Sequence, residues 1–303
     1  MSLIVDWTAE KAGDFTRRNL EFRHELHDRP MFSDEGLVSL LDRYPREHLG
    51  VFTMGHDALD WQSWRRGTAG NLTGDQLLNA AREGRIWLNL RHTNDYLPEY
   101  AALEREMFDE AEARTGQCTF KRDLGMLISS ADARVFYHLD VPLVSLWQIR
   151  GQKKVWVYPA QAPFVGADQL ERIVLKETNE QIAWTPDMDA GAEVHDLTPG
   201  KMVTWVQNAP HRIENGPMLN VSLSVEFMTP AALMHANVLY ANGVLRKLGL
   251  DPKVQTTPHP IALAKVGLAR AVKASGLSKT FEKTLPITFD LEQDVPGVLR
   301  AAA

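Results

Sequence analysis

The sequence predicts a mainly β protein, a sandwich or barrel with flanking helices. Three observations carry this. Between Leu124 and Phe227, short runs of β-branched, aromatic and aliphatic residues follow one another in close succession, separated by tight Gly- and Pro-containing turns. The longer helical patterns lie in the segments before and after this stretch. The composition, 44% hydrophobic and 24% charged over 303 residues, is that of an ordinary globular chain. The expected organisation is a domain over residues 1–230 with its β core at about 120–230, then a helical segment over 231–303 that caps the barrel or forms a homodimer contact.

Taken in order, Asn19 to His24 alternates as an edge strand does. Ser33 caps a helix that carries Asp34 and Glu35 in its first turn and Leu37, Leu40 and Leu41 on one side, and Pro45 ends it. Leu49 to Met54 reads as a strand. Residues 55–72 read as a loop in which Trp61, Trp64, Arg65 and Arg66 either line a site entrance or pack at the surface. Thr73 caps a helix to Arg82, closed by Gly84. Arg85 to Leu90 is a strand, and Asp95 to Arg114 a long helix with Pro98 in its first turn.

The β succession follows: Leu124–Ser129, Val135–Asp140, Val144–Arg150 and Lys153–Tyr158, then Glu193–Leu197, Met202–Val206 and Leu219–Phe227. A polar excursion at 160–192 interrupts it, with a short helix at Ala167–Arg172. Ala231–Leu248 and Ile261–Ala274 are helices. The tail from Thr284 carries Pro286 and Pro296 and reads as loosely ordered.

Net charge is −6 and the pI about 5.9, which argues against sequence-independent nucleic-acid binding. No run approaches the ~20 apolar residues of a membrane span, and the N-terminus lacks an apolar stretch of signal-peptide length. The single cysteine, Cys118, rules out a disulfide within the chain and fits a reducing cytoplasm. It reads as a small buried hydrophobe. There is no phosphate loop, dinucleotide fingerprint or Gly-x-Ser-x-Gly elbow.

The chemistry concentrates in Val135 to Pro159. Strand alternation puts His138 and Asp140 on one face with Leu139 on the other. An imidazole and a carboxylate so placed hold two positions of a metal's coordination sphere. A second His from a distant strand would complete a two-His, one-carboxylate triad with open positions, a donor set that favours iron(II) over a closed zinc site. His211, beyond the Pro199-Gly200 turn, is the candidate. Asn208 and Asn215 flank it and are suited to orient it through hydrogen bonds.

The same residues carry a resemblance. His138-Leu139-Asp140, the turn Gln148-Ile149-Arg150-Gly151-Gln152-Lys153, then Trp156 and Tyr158-Pro159, followed by Thr198-Pro199-Gly200 and Pro210-His211-Arg212-Ile213-Glu214-Asn215, are similar to the Jumonji-C branch of the cupin oxygenases. The protein asparaginyl hydroxylases give the nearest pattern, over roughly Leu124 to Phe227. The resemblance implies a double-stranded β-helix (jelly-roll, cupin) core. It implies iron(II) held by His138, Asp140 and His211, and 2-oxoglutarate with its far carboxylate on Lys153. The implied activity is hydroxylation of a protein side chain or a small molecule. An ammonium inside a barrel needs such an anionic partner, while Lys154 alternates outward.

Two positions depart from the pattern. Val135 stands where a hydroxyl residue helps hold the cosubstrate, and Val144 where an Asn is common. Tyr137, Ser129, Ser222 and Ser224 are the candidates to substitute, and Gln148 a candidate to point into the site. The losses at Val135 and Val144 also fit a cupin-like binding or regulatory protein without turnover.

Overall fold

A computed structural model of the chain describes residues 2–53, 60–253, 259–276 and 286–291, the side chain of Trp61 excepted. The protein is mostly β with flanking helices. Its strands are β1 (Leu20–Arg23), β2 (Leu49–Thr53), β3 (Arg65–Thr68), β4 (Ile86–Leu90), β5 (Phe120–Ser129), β6 (Arg134–His138), β7 (Leu143–Arg150), β8 (Lys153–Val157), β9 (Glu193–Leu197), β10 (Lys201–Thr204), β11 (His211–Asn215), β12 (Asn220–Met228) and β13 (Ile287–Asp290). The helices are α1 (Ala9–Asp14), α2 (Asp34–Arg43), α3 (Gly74–Glu83), α4 (Thr93–Tyr96), α5 (Pro98–Thr115), α6 (Ala167–Val174), α7 (Pro230–Lys247) and α8 (Pro260–Ala274).

The strands form two sheets. A nine-stranded mixed sheet runs β1-β10-β7-β12-β5-β4-β2-β3-β13, and a four-stranded antiparallel sheet runs β6-β11-β8-β9. The large sheet is mixed because β13 lies parallel to β3. This layering is consistent with a jelly roll. The two sheets pack on each other through Val144 and Leu146 of β7, Val155 and Val157 of β8, and Val203 and Ile213, all buried. The outer face of the large sheet buries Phe22, Leu88, Ile128 and Leu223 against the apolar sides of α2, α3 and α5. Each such side chain, taken out of water, stabilises the fold by roughly 1.5–3 kcal/mol.

Local signals behave as their chemistry dictates. The Ser33 hydroxyl accepts from Gly36 N–H at 3.2 Å, and Thr73 with Gln76 makes a reciprocal capping box. Gly151 turns β7 into β8 at φ +73°, and a Cβ there would stand 2.4 Å from the Leu219 carbonyl oxygen, so only glycine fits.

Several expectations are corrected. The long helix from Asp95 is two helices: Leu97 is extended, as a residue before proline tends to be, and Pro98 opens α5. The supposed loop at 55–72 contains β3, with residues 54–59 outside the described residues. The tail contains β13, which β3 pairs with. Cys118 is exposed, not buried. His195 is buried, with Nδ1 2.7 Å from the Glu21 carboxylate. Among the described residues, no helix is long and apolar enough to cross a membrane.

Candidate metal centre

The site lies between the two sheets, at the end where β6 and β11 pair. His138 closes β6, Asp140 follows two residues on, and His211 opens β11 directly opposite His138 in the register. β11 was not among the expected strands, yet it is the middle element of the small sheet's ligand end, hydrogen-bonded to both β6 and β8. Its alternation sends His211 and Ile213 inward and Arg212 and Glu214 outward.

The geometry brings the three expected ligands together. One ligand atom from each of His138, Asp140 and His211 lies within 4.8 Å of the others. The two imidazole rings are 4.2 Å apart between centroids, and His211 Nε2 is 3.4 Å from Asp140 Oδ2. Each imidazole is tied to a backbone carbonyl two residues back: His138 Nδ1 lies 2.7 Å from the Phe136 carbonyl oxygen within β6, and His211 Nδ1 3.1 Å from that of Ala209 in the loop before β11. A proton on each Nδ1 satisfies those carbonyls and leaves each Nε2 lone pair free. Burial, with His138 adding to it, pushes the His211 pKa down to about 4, so the ring is neutral and able to bind a cation. Trp205 backs it, ring to ring, at 4.5 Å. Two imidazoles, one carboxylate and open positions fit a divalent iron-type ion.

The triad opens into a cavity of about 180 Å³ between the sheets. Its walls include Trp87, Arg91, Glu180 and Glu226, none of which the sequence had offered as a site residue. Arg91 pairs with Asp123 and Glu226, both at 2.6 Å. Burial, with Asp140 adding and Arg91 opposing, pushes the Glu226 carboxyl up to about 7. Glu180 stands at the mouth. Leu127, Val135, Trp87 and Ile213 are shared with a narrower recess whose wall includes Lys153 and Ser129.

Lys153 is 6% exposed and its ammonium has no hydrogen-bonding or ionic partner among the described residues. Burial alone pushes its pKa down to about 7. Lys153 sits opposite Asn215 in the β8–β11 register, and His211 opposite Val157. The lysine is thus four residues from the ligand level, roughly 13 Å along the strands, a span that its stem and a short diacid can cover between them. Lys154 is exposed, as alternation required.

The remaining candidates divide. Ser129 borders the lysine recess and accepts from Asn215 Nδ2 at 2.8 Å. Ser224 lines the metal cavity. Ser222 donates to Gln148 Oε1 at 2.8 Å, and Gln148 bonds Asn220 in turn, so this pair forms a buried network instead of facing the cavity. Tyr137 points the other way: its hydroxyl donates to the Phe164 carbonyl at 3.0 Å, and its ring packs on Tyr158 outside the small sheet. Asn208 holds the site by another route than expected. Its Nδ2 donates to the Asp140 backbone carbonyl at 2.8 Å from a left-handed backbone at φ +63°. Val135 and Val144 both line the cavity.

No family model matches the chain, and no curated protein matches it. Solved structures do. The X-ray structure of E. coli ycfD aligns at a TM-score of 0.52 and 18% identity, covering 93% of this chain and 71% of that one. The likeness is one of fold. A structure of YcfD, a ribosomal oxygenase from Escherichia coli, in complex with cobalt and 2-oxoglutarate aligns at 0.46 and 17% identity, over 84% of this chain and 63% of that one.

Proposed function

We propose that this chain is an iron(II)- and 2-oxoglutarate-dependent oxygenase, built on a double-stranded β-helix, that hydroxylates a protein side chain or a small molecule. The observation that carries the reading is the convergence of His138, Asp140 and His211 on a cavity that continues to a buried, unpaired Lys153. When bound, the metal and keto acid supply oxidative decarboxylation by dioxygen, giving succinate and carbon dioxide and driving oxygen insertion into a C–H bond.

The chain's own residues do the rest. His138, Asp140 and His211 fix the ion on one face and leave the other open. Lys153 holds the far carboxylate of the keto acid with the Ser129 hydroxyl beside it, and Ser224 stands toward the metal end. Trp205, Leu146 and Ile213 exclude water around the ligands. A substrate at the mouth meets the Glu180 carboxylate, which suits a group donating hydrogen bonds. The C-terminal segment, which exposes Leu248 and Leu250 after α7 and Ile261 and Leu263 on α8, serves as a homodimer contact; sedimentation velocity would report it.

Replacing Asp140 by Ala should abolish succinate production, and unchanged turnover in that variant refutes the assigned site. Val135 and Val144 favour a second reading, a cupin-like binding protein without turnover. Anaerobic calorimetry with iron(II) and 2-oxoglutarate separates the two, since absence of cosubstrate binding supports the second.

A further inference from the structure

The excursion at 160–192 is not a solvated loop. Val165, Leu170, Ile173 and Ile182 are buried with Tyr137, Leu139 and Tyr158 on the outer side of the small sheet. At the centre of that contact stands Arg212, the neighbour of the ligand His211 on the opposite face of β11. Its side chain is 4% exposed. A guanidinium so buried persists only if its charge and its donors are met. Here they are met by the excursion and by the small sheet together, with one carboxylate from each. Arg212 lies 3.6 Å over the Trp156 ring and 4.9 Å from that of Trp184. It is ion-paired with Asp189, donates to Tyr158 Oη at 3.1 Å, and donates to Glu214 at 2.8 Å. Trp184 Nε1 donates to Asp189 Oδ1, and to Tyr158 Oη, both at 3.2 Å.

This cluster is tied to the metal cavity by a short stretch of chain. Residues 180–182 lie along the open edge of β6, joined to it by an isolated antiparallel bridge between Gln181 and His138. Leu139 N–H donates to the Glu180 carbonyl at 3.2 Å and Ile182 N–H to the Tyr137 carbonyl at 3.1 Å, bracketing the ligand His138. From Glu180 to Trp184 there are only three intervening residues, so a displacement at the cluster reaches Glu180 with little slack, at most ~3.6 Å per residue. The Glu180 side chain borders the cavity. Apart from the Arg212 cluster, those two backbone hydrogen bonds and the buried side chain of Ile182 are what fasten this stretch to the sheet.

We infer that Arg212 is a positioning residue whose latch to Asp189 and Trp184 holds residues 180–192 against the small sheet and keeps Glu180 as a fixed wall of the substrate cavity. The role assigned to the cavity rests on the oxygenase reading; the latch itself does not. Its test therefore avoids turnover. Arg212 is deeply buried, so the variants sit on the excursion side, Asp189→Asn and Trp184→Ala, with Arg212→Lys as a third that keeps the charge but loses the planar fork.

Two readouts are taken. The first is amide hydrogen exchange at Leu139 and Ile182, together with Co(II) affinity by calorimetry. The second is the distance between Mn(II) in the triad and a nitroxide on Glu180→Cys, in a Cys118→Ser background so that only one thiol is labelled. A working latch predicts exchange faster by roughly 10-fold in Asp189→Asn, the loss of one charge-assisted hydrogen bond, with a smaller rise in Arg212→Lys. It predicts a narrow Mn(II)–nitroxide distribution that broadens in both excursion variants while Co(II) affinity holds. Unchanged exchange and an unchanged distribution in Asp189→Asn and Trp184→Ala overturn it. So does a loss of Co(II) affinity that accompanies unchanged exchange. If the parent binds Co(II) and keeps a narrow distribution but turns over no keto acid, the oxygenase reading fails and the latch stands.

Discussion

Replacing Lys153 by Met should make the protein more stable while removing the group proposed to hold 2-oxoglutarate. Burial lowers the ammonium's pKa from 10.5 to about 7. At about 1.4 kcal/mol per pK unit, that drop amounts to roughly 4–5 kcal/mol of native-state destabilisation when the group is charged, and about 4 kcal/mol at pH 7, where it is half neutral. A methionine of similar length keeps most of the packing and carries no charge. For a chain of 303 residues, relief of that size corresponds to a midpoint higher by roughly 6 °C.

The pH dependence has a definite sign. Between pH 7 and 10.5 the unfolded chain binds the proton that the native chain has released, so the parent gains stability as pH rises through that window. Below pH 7 the penalty is present in full. The Met variant lacks this part of the slope. Thermal melts at pH 6, 7 and 9, with and without Co(II) and 2-oxoglutarate, provide the assay. At about 100 times its Kd the keto acid should stabilise the parent by ~2.7 kcal/mol and leave the variant where it was. A variant that melts below the parent without ligand, or one that still responds to the keto acid, would refute the assignment of Lys153 as an unpaired interior cation awaiting a carboxylate.

Other perturbations discriminate between neighbouring residues. Asn208→Ala removes the tether to the Asp140 carbonyl and should weaken Co(II) binding by about 10–100-fold in calorimetry with the fold intact by circular dichroism. Tyr137→Phe should leave 2-oxoglutarate affinity unchanged and cost about 1 kcal/mol in urea denaturation, because its hydroxyl serves Phe164. Gly151→Ala should lower the denaturation midpoint by the equivalent of ~1–3 kcal/mol, since the left-handed turn and the Leu219 carbonyl both exclude a Cβ.

The legible part of the site was whatever strand alternation and turn chemistry express locally. His138 and Asp140 share a face, Lys153 faces in and Lys154 out, and the Pro199-Gly200 turn precedes the distal ligand. The same alternation spoke against Tyr137, which adjoins His138 on one strand and so must point to the opposite face. Glu226 was also within reach, because it lies two and four residues beyond Ser224 and Ser222 on β12. Glu180 and Arg91 carry no such signal. One sits in an irregular segment and the other just past a strand end, and only tertiary packing brings them to the cavity. β3 and β13 escaped notice because each is four residues long, and β13 finds its partner, β3, more than two hundred residues back along the chain. β11 was hidden between Pro210 and Gly216, where turn residues mask a five-residue strand.

The His138 imidazole leans on a carbonyl two positions back in its own strand, whereas His211 leans on Ala209 and the Asp140 backbone is held by Asn208, neighbours in the loop before β11. Orientation of one nitrogen donor is therefore written into β6. Orientation of the other two donors is borrowed from one short loop. Gradual loosening of the fold by heat or denaturant should then release a bound ion in one step, when that loop gives way and before the small sheet itself comes apart.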